Sequence, residues 1–430
     1  MRVAVVTLGC KVNQSESSSI EGMLKDESFE IVGYADNPDV CIVNTCSVTS
    51  KSDYQSRQLI RKALKSGAKV IATGCYAQLN PGELSKIEGL SLIIGNSEKD
   101  KIVNYLKTLP LVQKSNPLSI INASDNTLSS HPYYSTRSRA FLKIQDGCNF
   151  SCTYCTVPKA RGKSRSLNPP DVLLSANMLS AEGYKEIVLT GIHIGSYGLD
   201  LQHRCSLLDI VKMLIDAFPD IRFRLSSIEP QEYKEDFLLM IKAGSVCDHL
   251  HIPLQSGSDN VLKEMNRGYT TSFYKSIIER IFFACPDISI GTDIITGFPG
   301  ESDDDFNETV KFLENLPLSY FHVFPYSKRP NTKAGQSKNQ LTEKAKHERM
   351  NMLLELSNQK KKLYLRKNLG RVVDVIVENQ TTERGLYKAI SGNYIKLLIK
   401  SSNALERRQR LKVKVISLTD SGLIAEPLNK

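Results

Sequence analysis

Cys148, Cys152 and Cys155 stand in the run Gly147-Cys148-Asn149-Phe150-Ser151-Cys152-Thr153-Tyr154-Cys155, a C-x3-C-x2-C spacing. Thiolates hold iron–sulfur clusters, and a cubane cluster has four irons. Three cysteines with no neighbouring fourth ligand leave one iron open, and an open iron can chelate a small molecule. The site therefore reads as reactive rather than structural. Structural zinc would want four closed ligands, as paired C-x2-C units or cysteines with histidines. Only Cys152 and Cys155 make such a pair here, and no histidine follows within the next thirty residues.

The elements that must position this triad can be read from hydrophobic periodicity. Strand-like runs fall at 140–145, 186–190, 222–226, 249–254, 289–296 and 320–325. Helical patterns fall at 170–181, 207–217, 234–243, 272–284 and 303–316. Six βα units predict a partial barrel or a wide parallel sheet. The triad lies just after the first strand, at the C-terminal mouth where such folds place their chemistry. His193, His249 and His251 lie near strand ends and could line the cavity, although strand histidines are more often structural.

The first 110 residues alternate strands (3–8, 39–44, 69–73, 90–94) with helices (15–25, 51–66), an open parallel α/β sheet. Cys10, Cys46 and Cys75 each come directly after a strand. Strand C-termini of a parallel sheet share one edge, where ligands bind. Three thiolates distant in sequence should thus converge into a second three-cysteine site. Cys41, in mid-strand, reads as an ordinary buried thiol, and Cys205, Cys247 and Cys285 are isolated.

Residues 111–138, with Pro110, Pro117 and Pro132 around Ser and Asn, read as a linker. The barrel domain then spans 139–341 and a charged helix 342–365. Short strands at 372–378, 388–390, 394–398 and 411–417 predict a small C-terminal β-barrel over 366–430. That module carries 13 Lys and Arg against 6 Asp and Glu, most of the chain's net charge of +10. A basic terminal barrel suits a polyanion, and small barrels of this kind often bind oligonucleotides. No run approaches 18 apolar residues, so no membrane span is expected. The N-terminus lacks a signal-peptide pattern, and ten cysteines then point to metal binding or chemistry in a reducing cytoplasm.

Tyr154 before the third cysteine completes the hallmark of radical S-adenosylmethionine (SAM) enzymes, which the chain resembles. The order of a three-cysteine α/β domain, a barrel and a basic C-terminal barrel (called TRAM) is similar to the methylthiotransferase branch. The opening Thr7-Leu8-Gly9-Cys10-Lys11-Val12-Asn13-Gln14 resembles the subgroup acting on N6-threonylcarbamoyladenosine in tRNA. The resemblance implies two [4Fe-4S] clusters, one on Cys148, Cys152 and Cys155 and an auxiliary one on Cys10, Cys46 and Cys75. It implies SAM contacts at Tyr154, Gly191, Ser227, Glu229 and Gly297. Arg267 could meet the SAM carboxylate or an RNA phosphate. One SAM would methylate a sulfur held at the auxiliary site. A second would give the radical that acts at C2 of the adenosine beside the anticodon. tRNA would be held through Arg407, Arg408 and Arg410, and an electron donor such as flavodoxin or ferredoxin and a sulfur source are further partners. Rival expectations are methylthiolation of isopentenyladenosine tRNA or of a ribosomal-protein Asp, and a non-catalytic iron–sulfur RNA-binding protein.

Overall fold

The computed structural model describes residues 1–108, 118–121, 128, 135–419 and 422–428. Its N-terminal sheet is built from β1 (Arg2–Thr7), β2 (Glu30–Ile31), β3 (Val40–Thr45), β4 (Lys69–Gly74), β5 (Leu90–Ile94) and β6 (Leu118–Ile120). These strands are all parallel, in the order β2-β1-β3-β4-β5-β6. Val40 to Thr45 is buried throughout, the unbroken apolar pattern of a central parallel strand. The helices α1 (Lys11–Asp26), α2 (Ser50–Lys65), α3 (Cys75–Leu79), α4 (Pro81–Leu84) and α5 (Ile102–Thr108) belong to this unit. β6 falls inside the stretch expected to be linker: Leu92–Leu118 pairing recruits it as an edge strand. Pro110, Pro117 and Pro132 lie outside the described residues.

The second unit has β7 (Ala140–Lys143), β10 (Glu186–Thr190), β11 (Arg222–Leu225), β12 (His249–His251), β13 (Ser289–Thr296) and β14 (Tyr320–Pro325) as its wall. They form two parallel three-stranded sheets, β7-β10-β11 and β12-β13-β14, joined by a bridge from Phe223 to Val246. The result is a half barrel, open between β7 and β14. The small antiparallel pair β8 (Gln145–Asp146) and β9 (Arg165–Ser166) rises at its mouth. Around the wall lie α6 (Val157–Arg161), α7 (Pro169–Ala181), α8 (Leu207–Ala217), α9 (Asp236–Lys242), α10 (Asp259–Glu264), α11 (Thr271–Ala284), α12 (Asp303–Asn315) and α13 (Lys333–Gln336). Ser206 and Ser302 open α8 and α12 with capping boxes.

Two expected strands are shorter than the apolar runs suggest. The run 249–254 ends at His251 because Pro253 has no N–H for the ladder, and Leu254 N–H turns instead to Thr292 Oγ1 at 2.8 Å. The first run breaks at Ile144, where the chain bends from β7 into β8.

A 25-residue helix, α14 (Glu343–Lys367), leads to a closed barrel of β15 (Val372–Gln380), β16 (Leu386–Ser391), β17 (Lys396–Lys400), β18 (Arg410–Thr419) and β19 (Gly422–Pro427). β19 closes the barrel between β17 and β18, and periodicity had not singled it out. Tyr394 lies in the turn before β17 at φ +64°, not in the strand.

The barrels are joined by two buried arginines. Arg222 donates to the carbonyls of Asp374 (2.7 Å) and Ile390 (3.1 Å), and Arg224 to those of Gly392 (2.9 Å) and Ser391 (3.0 Å). Glu186 is their shared counter-ion, at 2.7 and 2.8 Å. Burial alone would push the Glu186 carboxyl up, but Arg224, Arg222 and Arg139 outweigh it and hold it well below the usual carboxylate range. Glu186→Ala would strand two buried guanidinium groups and is expected to cost about 3–5 kcal/mol, read as a lower thermal midpoint. The contribution of a depressed carboxylate is present above its unfolded value and lost as pH falls below it. The variant should therefore lose stability less steeply than wild type in acid.

Candidate functional site

Cys10, Cys46 and Cys75 follow parallel strands, the loop from Cys148 to Cys155 follows the short antiparallel β8 at the barrel mouth, and left-handed glycines precede Cys10, Cys75 and Cys148. Gly147 has φ +73°, and a Cβ there would stand 1.9 Å from Lys163 O, so only glycine lets the strand turn into the Cys148 loop. Phe150 N–H and Val157 N–H point at the sulfurs of Cys148 and Cys155, both at 3.4 Å. The turn after α10 clamps the same loop: Thr153 N–H donates to Met265 O at 3.1 Å, and Asn266 Nδ2 to Ser151 Oγ at 2.8 Å. Burial pushes the Cys155 thiol up to about 12. Its ionised form needs a compensating cation, as a metal cluster supplies.

In the N-terminal sheet, Cys10, Cys46 and Cys75 follow β1, β3 and β4, three adjacent strands, so the sheet order brings them to one edge. Gly9 at φ +101° and Gly74 at φ +96° precede Cys10 and Cys75. A Cβ on Gly9 would meet Cys46 Sγ at 2.8 Å, which places two of these loops in contact. Cys10 is the N-cap of α1 and Cys75 is the first residue of α3, and burial pushes the Cys10 thiol up.

Both triads suit clusters better than a single ion. Among the described residues, the one trio of His, Cys, Asp and Glu with ligand atoms within 4.8 Å of one another is His251, Asp293 and His322. The cysteine triads are set wider than Zn–S bonds of about 2.3 Å would draw them.

One residue couples the two sites. Arg161, at the end of α6 and 1% exposed, donates to Asp146 Oδ1 at 3.0 Å beneath the Cys148 loop. It also donates to Glu16 Oε1 at 2.7 Å and Asn13 Oδ1 at 2.6 Å on α1. Asn13 in turn donates to Leu8 O (2.8 Å) and Thr45 O (3.0 Å), fixing the chain just before Cys10 and Cys46. Burial opposes the charge on Glu16, but Arg161, Lys99 and Lys143 hold its carboxyl well below the usual range. Arg329 makes a second clamp, to Asp53 at 2.7 Å and Ser47 Oγ at 2.6 Å.

The expected SAM residues are dispersed. Glu229 is half-buried, paired with Arg267, whose Nη1 also reaches Cys152 Sγ at 3.5 Å. Tyr154 is half-buried beside the triad, and Ser227 is exposed at the end of β11. Its neighbour Ser226 keeps a buried Oγ with no partner, a free polar atom at the mouth that a polar ligand would satisfy. Gly191 packs under Gln145 and Ile194, where a Cβ would come within 2.7 Å of each. Gly297 faces Lys346 of α14, 2.4 Å from where its Cβ would stand, so its smallness admits a helix. His193 bridges the triad and its surroundings, with Nδ1 3.9 Å from Cys148 Sγ and Nε2 2.7 Å from Glu232.

The basic residues of the last barrel also divide. Arg408 donates to Ser135 O and Tyr184 Oη, both at 2.9 Å, and lies 3.8 Å from the Tyr184 ring centroid. Arg410 pairs with Asp374 of its own barrel at 2.7 Å and donates to Asp220 O across the domain contact at 3.3 Å. Both therefore help dock the barrel, while Arg407 is exposed. Sequence reasoning missed Arg161, Asn13 and Glu16. Glu16 had a signal: it shares a helical face with Val12 and Ile20, both buried.

Residues 142–313 match the Radical SAM superfamily, and residues 2–95 match the uncharacterized protein family UPF0004. Threonylcarbamoyladenosine tRNA methylthiotransferase MtaB of Bacillus subtilis is 36% identical, over 96% of this chain and 93% of its own. A tRNA-2-methylthio-N(6)-dimethylallyladenosine synthase of Clostridium botulinum is 34% identical, over 87% of this chain and 85% of its own. Among solved structures, the radical SAM methyltransferase TsrM of Kitasatospora setae shares the fold, with a TM-score of 0.57 at 14% identity over 78% of this chain and 74% of that one. A half barrel bearing the C-x3-C-x2-C loop defines a radical SAM protein, and with the N-terminal three-cysteine domain the chain belongs to the radical SAM methylthiotransferase family. No helix among the described residues is long and apolar enough to cross a membrane.

Gly147→Ala is expected to lose iron after anaerobic reconstitution and to unfold at a much lower temperature. Gly183→Ala is the control: its backbone has the same left-handed φ, at +80°, but open space. That variant should cost only about 1–2 kcal/mol and keep its iron.

Proposed function

We propose that this enzyme installs a methylthio group at C2 of N6-threonylcarbamoyladenosine beside the anticodon of tRNA, in the cytoplasm. The observation that carries the reading is the buried Arg161 bridge, which holds a radical SAM triad and a second cysteine triad in one block. The choice of nucleoside is supported by the run Gly9-Cys10-Lys11-Val12-Asn13-Gln14 and by relatives with that substrate in their names.

Two [4Fe-4S] clusters are assigned, one to Cys148, Cys152 and Cys155 and one to Cys10, Cys46 and Cys75. Cys148, Cys152 and Cys155 would hold an iron–sulfur cluster, which when bound would supply the electron for reductive cleavage of SAM. Such chemistry is required because an aromatic C–H offers no acidic proton to a general base. The chain's own groups orient the reactants. Arg267 and Glu229 frame the mouth beside Cys152, and the unpartnered Ser226 hydroxyl offers SAM a polar contact. Tyr154, Gly191, Ser227 and Gly297 complete the assignment, with Gly191 and Gly297 acting through packing.

The basic C-terminal barrel holds tRNA through phosphate contacts, with Arg407 as its exposed probe. An electron donor of the flavodoxin or ferredoxin class and a sulfur source complete the reaction.

Nucleoside analysis of tRNA from a strain lacking the gene tests the substrate. Loss of the 2-methylthio form of threonylcarbamoyladenosine is expected. Loss of methylthiolated isopentenyladenosine instead would select the other nucleoside, and unchanged tRNA would refute both. Replacing all three cysteines of either triad by alanine should leave about half the reconstituted iron. Complete loss, or none, from one triad would contradict the two-cluster assignment. Arg407→Glu is expected to weaken tRNA binding and reduce its salt dependence, as measured by filter binding.

A further inference from the structure

The lumen of the half barrel contains a cation that neither cysteine site uses. Lys11 begins α1, the helix that stands against β7 through Ser15 Oγ and Phe141 O at 2.6 Å. From the barrel's open side its ammonium lies in the field of Arg224 and Asp293, and it acts in turn on His249 and His322. Its Nζ lies 5.8 Å from the centroid of the Tyr394 ring, which itself stacks on His249 at 4.5 Å.

No hydrogen-bond acceptor or ion-pair partner meets Lys11 among the described residues. The nearby acids are already engaged. Glu186 is held by Arg222 and Arg224, and Asp293 by His251 at 3.1 Å. A half-buried cation without a bonded counter-ion is costly to leave unpaired. Next in sequence to Cys10 and without a bonded partner, it is suited to meet an anion on the substrate.

We propose that Lys11 receives the carboxylate of the threonyl group on N6-threonylcarbamoyladenosine, making it the residue that selects this nucleoside by charge. The inference rests on the substrate reading above. Positions N6 and C2 flank N1 on one edge of adenine, so a hold on the N6 substituent turns C2 toward the same side. Lys11 is covalently next to Cys10, which puts that hold beside the auxiliary triad. An uncharged isopentenyl group would leave the ammonium unpaired, and rejection by an unpaired buried charge is stronger than rejection by shape.

The test uses anticodon stem-loops carrying threonylcarbamoyladenosine or its methyl ester, which keeps the shape and removes the charge. KM for methylthiolation and Kd for binding are measured with wild type, Lys11→Met and Lys11→Arg. Wild type should prefer the carboxylate by about tenfold or more, the worth of one charge-assisted hydrogen bond. Lys11→Met should bind acid and ester within about twofold of each other, and Lys11→Arg should recover much of the preference. A merely structural lysine would weaken both substrates equally and keep their ratio, and that result overturns the assignment. So does a wild type that modifies both equally well. If wild type modifies neither, the substrate reading fails and this inference falls with it.

Discussion

A single buried guanidinium holds the chemistry together. Arg161 is almost without solvent contact, yet it carries a full charge between Asp146 below one cysteine loop and Glu16 and Asn13 on the helix that begins beside Cys10. A charge buried in this way is tolerated only with ionic partners, and both terminal nitrogens of Arg161 have them, Nη1 on Glu16 and Asp146 and Nη2 on Glu16 as well as the Asn13 amide. That demand leaves little freedom in how the two domains sit. Arginine suits the task because its planar fork can serve several acceptors at once, where a lysine ammonium would act as a point charge.

The same device recurs at the other domain contacts. Arg329 ties the segment after β14 to Asp53 and Ser47, and Arg222 and Arg224 carry the C-terminal barrel on its backbone carbonyls. Interfaces made of directional bonds specify orientation more sharply than apolar faces of equal area, which can slide. A reaction that brings together a radical source, a sulfur site and a nucleoside on an RNA depends on fixed orientation, since small displacements of reacting groups are costly. The basic excess of the C-terminal module thus has two uses: part docks the barrel, and part remains exposed.

Much of the architecture was legible from pattern. Short apolar runs, three of them followed directly by a cysteine, located the parallel strands and the edge where their cysteines meet, because a parallel sheet places all its strand ends together. The failures were local. Pro253 cut short a strand that the apolar run continues, and Tyr394 took up a left-handed turn conformation that its residue type disfavours. β6 and β19 are short strands completed by partners distant in sequence, so no local period announces them.

By itself, the sequence determined the kind of chemistry: thiolate spacing and strand-then-cysteine order are local properties, set by covalent neighbours and the period of each element. Only the tertiary structure decided which charges serve that chemistry. Arg408 and Arg410 read as RNA contacts until folding set them against Tyr184 and Asp374. Gly297 read as ligand space until α14 filled it. Arg161 drew no notice, and Lys11 stood only as one letter of a family motif, until folding enclosed the first with acids and left the second without a bonded one. A charge acquires its role from the groups that replace its water, and those groups come from remote parts of the chain.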